Sequence, residues 1–212
     1  MRDFPFFHTE NGVASLILKE IPYRATAYIR LQDASDPDAL LKECVEFCRA
    51  VGAERIFGTG HEILMSFPLY TQILEMRCPL ELIPDTDASL FPVTEITLER
   101  WREIYNKSMA SVPNASYMSS ADGKAMLKST GAYFIHRVGT LIGIGIASGE
   151  KIDAVAACVP GAGETVVSAL CHALSGDVVQ LEVASTNERA IKLYNRMGFI
   201  TTRVVSSWYQ VL

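Results

Sequence analysis

The stretch Gln180-Leu181-Glu182-Val183-Ala184-Ser185-Thr186-Asn187-Glu188-Arg189-Ala190-Ile191-Lys192-Leu193-Tyr194-Asn195-Arg196-Met197-Gly198-Phe199 decides the fold. Leu181, Val183 and Ala184 read as a buried strand. Ser185 to Glu188 has the Ser-x-x-Glu spacing of a capping box, an arrangement that leaves the Asn187 side chain free to hydrogen-bond elsewhere. Ala190, Tyr194 and Met197 then recur at i, i+4, i+7, which makes a short amphipathic helix with an inward stripe, and Gly198 stops it. A strand that ends in an Asn and feeds a helix carrying a Tyr is a candidate place for site chemistry. Packing alone also explains a Tyr on such a stripe.

Leu181, Val183, Asn187, Ala190, Leu193, Tyr194, Gly198 and Phe199 fill, at fixed spacing, the pattern Leu-x-Val followed by Asn-x-x-Ala-x-x-Leu-Tyr-x-x-x-Gly-Phe. In this the stretch resembles the last strand-helix unit of the Gcn5-related N-acetyltransferases (GNAT). The resemblance implies an α+β fold, with a mixed, mostly antiparallel sheet flanked by helices. It also implies acetyl-CoA as co-substrate and a small-molecule or peptide amine as acceptor. By the same resemblance Asn187 holds the pantetheine arm and Tyr194 protonates the departing thiolate, a role that suits a phenol of pKa about 10. The other reading keeps the fold without the activity, as a binding or regulatory protein that has lost the cofactor.

Upstream, the family has a strand ending near Val-x-Pro, a loop of pattern Arg/Gln-x-x-Gly-x-Gly/Ala, and a helix. Free backbone N–H groups at that helix start hold the pyrophosphate, and glycines allow its close approach. Here the text is Cys158-Val159-Pro160-Gly161-Ala162-Gly163-Glu164-Thr165-Val166-Val167-Ser168-Ala169-Leu170. Registering Ser168-Ala169-Leu170 on the helix body puts Ala162, Thr165 and Val167 at the three named positions and loses them all. Taking Gly161-Ala162-Gly163 as the Gly-x-Gly instead keeps the distance to the Leu181 strand closer to the family's, and is preferred. The resemblance then assigns Val159, Gly161, Ala162, Gly163, Thr165 and Asn187 to the cofactor. No basic residue remains in the loop, and Glu164 stands where a phosphate would face the helix. Glu150, Asp153 and Glu182 are the candidate carboxylates for a general base, with an ordered water as the alternative. His172 is read as structural or exposed.

Before this loop, Ala132–Val138 and Leu141–Ala147 flank a Gly139-Thr140 turn and predict a hairpin, followed by a strand over Ile152–Val159. Helices are expected from Thr97 to about Met109 and from Ser120 to about Leu127, and Val93–Ile96 is expected to start a strand. In the family these helices line the acceptor site, which makes Tyr117, Met118 and Ser119 candidate contacts.

The first half opens with strands over Val13–Lys19 and Arg24–Leu31. Ser35-Asp36-Pro37-Asp38 then caps a helix carrying Leu40, Leu41, Cys44, Val45, Cys48 and Val51. A short strand at Arg55–Gly58 and a helix over Pro68–Arg77 follow. This order echoes the second half, so the chain is read as a tandem form: a degenerate GNAT-like domain over 1–92 and the acetyltransferase domain over 93–212, divided in the proline-punctuated Glu81–Pro92. His61, in Gly58-Thr59-Gly60-His61-Glu62, is read as a surface residue.

Composition excludes several classes. Across the 212 residues the net charge is −5, which offers no footprint for nucleic acid. It divides into −7 for residues 1–95 (8 Lys+Arg, 15 Asp+Glu) and +2 for 96–212 (11 against 9). No apolar run reaches the roughly 18–20 residues of a membrane span, and Met1-Arg2-Asp3-Phe4-Pro5 does not open like an export signal. The five cysteines have no CxxC pair and no metal-ligand spacing. They are expected as reduced thiols in a cytoplasmic protein. A monomer with pseudo-dimeric halves and a homodimer both stay open.

Overall fold

The computed structural model describes residues 6–113, 115–129 and 131–212. Met1–Pro5, read above for export, and Asn114, between the two helices expected to line the acceptor site, lie outside them. The elements run β1 (Phe6–Thr9), β2 (Gly12–Ile17), α1 (Ile21–Arg24), β3 (Thr26–Ala34), α2 (Pro37–Ala50), β4 (Arg55–Thr59), β5 (Leu69–Pro79) and β6 (Ser89–Pro92). They continue with α3 (Leu98–Met109), α4 (Ser120–Ser129), β7 (Gly131–Arg137), β8 (Thr140–Ser148), β9 (Lys151–Ala157), α5 (Gly163–Cys171), β10 (Val178–Ala184), α6 (Glu188–Arg196) and β11 (Ile200–Gln210). The fold is α+β with a large, mostly antiparallel sheet, as the resemblance implies. Among the described residues no helix is long and apolar enough to cross a membrane.

The chain forms two compact units, one of residues up to Ile73 with Val204–Leu212, the other Leu74–Arg203. The divisions fall inside β5 and β11, and Glu81–Pro92 lies within the second unit. In the first unit β1–β2 and β2–β3 pair antiparallel, β3–β4 pairs parallel, and the end of β11 pairs antiparallel with β4. Its core is Leu16, Ile29, Leu31, Leu40, Leu41, Cys44, Cys48, Ile56 and Leu64. Asp36 caps α2 by accepting from the Ala39 N–H, as expected of Asp before Pro. Burial pushes the Cys44 and Cys48 thiols up to about 12 and about 11, so both are inert. His61 accepts the Ile63 N–H on Nδ1 at 3.3 Å and caps a 3-10 turn.

Two local expectations fail. Pro68–Arg77 is not a helix but most of strand β5, whose alternation drives Met76 and Cys78 into a core and Glu75 and Arg77 to the other face. Val93–Ile96 does not start a strand: β6 ends at Pro92, and Thr94 and Thr97 hydrogen-bond into a turn before α3. Strands β1, β6 and β11 were not anticipated.

In the second unit the strand order is β5-β10-β9-β8-β7-β6. Helices cover it on two faces. Val166, Val167, Leu170 and Cys171 of α5, Tyr194 of α6 and Met197 just after it pack with Ile135, Ile152, Leu181 and Val183. Trp101, Tyr105 and Met109 of α3 pack on the other face with Ile144 and Ile146. Helix α5 sits low on β8 because β8 offers glycines beneath it. A Cβ at Gly143 would lie 2.5 Å from Val166 Cγ2 and 2.8 Å from Ala156 O, and one at Gly145 would strike the Leu170 side chain.

Candidate functional site: a forked strand pair and its loop

Strands β9 and β10 run parallel and are joined at only two positions, Gln180 with Lys151 and Leu181 with Ile152. Immediately beyond, β9 carries a bulge. Ile146 faces Ala154 and Ala147 faces Ile152, so Asp153 is the extra residue. A bulge bends its strand and raises its twist, and here it turns β9 away from β10. From Asp153 onward the β10-facing edge of β9 has no strand partner, which leaves a fork with open backbone N–H and C=O groups. The corresponding pair of the first unit, β3–β4, stays joined from Thr26 with Arg55 to Arg30 with Thr59. Among the described residues that pair shows no such opening.

The loop at the end of β9 follows from local geometry. Cys158 N–H still bonds Ile142 O at 2.8 Å, and Ala162 N–H bonds Val159 O at 3.2 Å, closing a turn. Gly161 lies in that turn with φ +83°, a conformation side chains resist. Gly163 begins α5, and a Cβ there would meet Leu193 Cδ2 of α6 at 3.0 Å. The first helical bond runs from Val166 N–H to Ala162 O, so the N–H groups of Gly163, Glu164 and Thr165 have no intrahelical partner. Outside α5, a cleft of about 470 Å³ is lined by Asp85, Asp87, Glu164, Thr165 and Arg137 among others. Arg137 is bound there to Asp87 at 2.9 Å.

No protein-family model matches the sequence, and no curated protein matches it. Solved structures do. The chain is similar to a functionally unknown conserved protein from Staphylococcus epidermidis (TM-score 0.62, 11% identity), over 99% of this chain and 94% of that one. It is similar to a GCN5-related N-acetyltransferase from Anabaena variabilis (TM-score 0.65, 10% identity), over 94% of this chain and 59% of that one. A tandem GNAT protein from the clavulanic acid biosynthesis pathway matches with TM-score 0.56 and 13% identity, over 94% and 79% of the two chains. The chain has the GNAT fold.

Within the GNAT fold, Val159, Gly161, Ala162, Gly163 and Thr165 all lie on the loop and first turn beside the fork. Asn187 is placed differently from expectation. Asn187 is itself the cap of α6, its Oδ1 accepting the Ala190 N–H at 3.3 Å, because the chain turns at Ala184–Asn187 and the helix begins only at Glu188. Its amide NH₂ is what remains for a ligand. Tyr194 is buried, against Phe199 at 5.7 Å between ring centroids. Burial, and then the neighbouring Cys171, push its phenol up to about 12. Such a group keeps its proton and serves as a hydrogen-bond donor, and it is a weak acid at neutral pH.

On the acceptor side, Met118 is buried and its backbone is pinned to α3: its N–H donates to Asn106 Oδ1 at 2.8 Å and its C=O accepts from Arg102 at 3.0 Å. Ser119 forms a reciprocal cap of α4 with Asp122. Tyr117 lies against Arg102, whose guanidinium Glu99, first, and then Tyr117 hold further protonated. Glu150 is exposed in the β8–β9 turn. The His172 Nε2 lies 3.2 Å from Pro84 O, away from the fork.

Asp153 and Glu182 are the first residues past the fork, and both reach Lys151 Nζ, at 3.7 and 2.9 Å. Burial pulls the Lys151 ammonium down, but Glu182 and Asp153 outweigh it and hold the group above its ordinary value. Sequence reading named both carboxylates without seeing that they meet. A charged residue inside the otherwise apolar Ile152–Val155 run was the available signal for the bulge. Nothing in the sequence pointed to Glu75, Gln180 and Arg203, which join on the same face.

Proposed function

We propose that the second unit transfers an acetyl group from acetyl-CoA to a primary amine. The open fork between β9 and β10 carries this reading. The bare edge of β9 suits the amide groups of a pantetheine arm, and the Asn187 amide NH₂ lies at the end of β10. Gly161 and the free N–H groups of Gly163, Glu164 and Thr165 suit the phosphates, although no Lys or Arg lies between Cys158 and Cys171. Acetyl-CoA supplies a thioester carbonyl open to direct attack. Val159 carries the first loop N–H past the last strand bond, and that group polarises the carbonyl oxygen. Tyr194 donates a hydrogen bond to the departing sulfur. The repeated order β2-β3-α2-β4 and β8-β9-α5-β10, each ending in a parallel pair, supports reading the first unit as a degenerate copy. Five free thiols, four of them buried, suit a cytoplasmic protein.

Titration calorimetry with acetyl-CoA tests the reading, and no heat at millimolar ligand would sink it. Glu164→Gln removes a carboxylate from the phosphate end. It is expected to tighten acetyl-CoA binding about 2- to 5-fold, the scale of one charge at a helix start; unchanged or weaker binding would move the phosphates elsewhere. Tyr194→Phe is expected to lower turnover about 10-fold or more with acetyl-CoA affinity nearly unchanged. An unaffected rate removes Tyr194 from the mechanism. Tyr194, high at about 12, and the acidic loop favour a second reading, a GNAT-fold protein without turnover. Binding of acetyl-CoA with no consumption across an amine panel would establish that one.

A further inference from the structure

The face of β10 and β5 opposite α5 and α6 holds charges that packing does not explain. Glu75 is 1% exposed, yet its carboxylate is charged. Arg203 grips Oε2 through Nε and Nη2 at 2.9 and 2.7 Å, and Gln180 Nε2 reaches the same oxygen at 3.1 Å. Arg77 Nε and Thr202 Oγ1 each bind Oε1 at 3.0 Å. Arg77 and Arg203 roof the carboxylate and are themselves 48% and 66% exposed. Burying a carboxylate under two guanidiniums stabilises a fold no better than apolar packing would. The arrangement therefore asks for a use.

Two clusters of opposite sign result. Arg77, Arg203 and Glu75 sum to +1, and Lys151, Asp153 and Glu182 sum to −1. Gln180 stands between them, bonded to Glu75 on one side and paired in register with Lys151 on the other. Strand spacing puts β5 and β9 about 10 Å apart. The negative cluster lies at the fork, where the amine must arrive. At the other end, Glu75 engages only Nε of Arg77 and Nε and Nη2 of Arg203, so both exposed guanidiniums keep N–H donors for an anion.

We infer that this face takes a zwitterionic acceptor: a primary ammonium beside Glu182 and Asp153, and a carboxylate several bonds away on Arg77 and Arg203. The inference rests on the proposed acyl transfer and names its acceptor class. A flexible ω-amino acid has the required reach. Glu182, adjacent to the arriving ammonium, is then the group placed to take its proton, once the amine displaces Lys151 from it.

6-Aminohexanoate and hexylamine differ only in the carboxylate and make the test. Calorimetry with the protein and each amine, without acetyl-CoA, should give affinity at least about 10-fold tighter for 6-aminohexanoate, one charge-assisted contact in scale. Arg77→Gln, which leaves Arg203 on Glu75, should remove that preference, and Glu182→Gln should weaken both amines. Equal binding of the two amines, or a preference that survives Arg77→Gln, overturns the inference. Heat with 6-aminohexanoate but none with acetyl-CoA would instead overturn the acyl-transfer reading alone. With both ligands bound, kcat/KM should follow the same order as affinity.

Discussion

Gly143→Val is expected to unfold or severely loosen the second unit, with a stability loss of about 3 kcal/mol or more in urea denaturation. The Cβ alone would stand 2.5 Å from Val166 Cγ2 and 2.8 Å from Ala156 O. The second contact is decisive, because Ala156 O belongs to the neighbouring strand and cannot move without breaking the β8–β9 pairing. Gly145→Ala meets only the Leu170 side chain, which can turn away. Its loss should be smaller, about 1–2 kcal/mol, and smaller still when it is measured in a Leu170→Ala background, which is itself destabilised by the cavity left in the core. Gly149, at φ +59° with nothing within 4 Å, is the control: alanine there meets no neighbour and costs only backbone strain, about 1 kcal/mol. If Gly143→Val melts like the parent, α5 does not lie on β8 as described. Because α5 carries Gly163–Thr165 at its start, the milder Gly145→Ala should also weaken acetyl-CoA binding under the proposed function, through displacement of the loop.

The same glycines show why the fold was readable and the site only in part. Residues that obey a period were legible. Leu40, Leu41, Cys44 and Cys48 at helical spacing gave α2, and Leu181, Val183, Tyr194 and Met197 gave the β10–α6 unit. Pro68–Arg77 was not, because its apolar residues Leu69, Ile73, Leu74 and Met76 satisfy helical spacing as well as a strand does, and pairing in the sheet decides between them. Asn187 shows the limit at single-residue scale. A Ser-x-x-Glu spacing and an Asn at the next cap position compete for the same helix start, and the turn at Ala184 settles it for Asn187. The fork left only one trace in the sequence, the single charge inside the apolar Ile152–Val155 run. It depends on one unmatched residue, Asp153, in a strand whose composition is otherwise unremarkable. The Glu75 cluster joins residues 75, 77, 180 and 203, and sequence proximity gives no hint of it.

That cluster sets the second large effect. Glu75→Gln is expected to lower the melting temperature at neutral pH, and the difference from the parent should shrink steadily as the pH falls. Hydrogen bonds from Arg203 hold the Glu75 carboxyl below its ordinary range; they outweigh desolvation, and Thr202 and Arg77 add to them. The folded value thus lies below the unfolded one. The stabilisation is complete above the unfolded carboxylate pKa and is lost as pH falls through the lowered folded value, where the native state must also take up the proton. Once Glu75 is neutral in the parent, a glutamine in its place presents nearly the same uncharged group to Thr202 and Gln180, and the two proteins converge. Melting curves of both, from neutral to strongly acid pH, check this. A gap that stays constant across the range would show that shape, not charge, holds the site. Arg203→Gln and Arg77→Gln separate the contributions further. Arg203 supplies two bonds to one oxygen and Arg77 a single bond to the other, so the loss at neutral pH should be larger for Arg203. The reverse order would mean that Arg77, the less exposed of the two, holds the carboxylate in place by its packing.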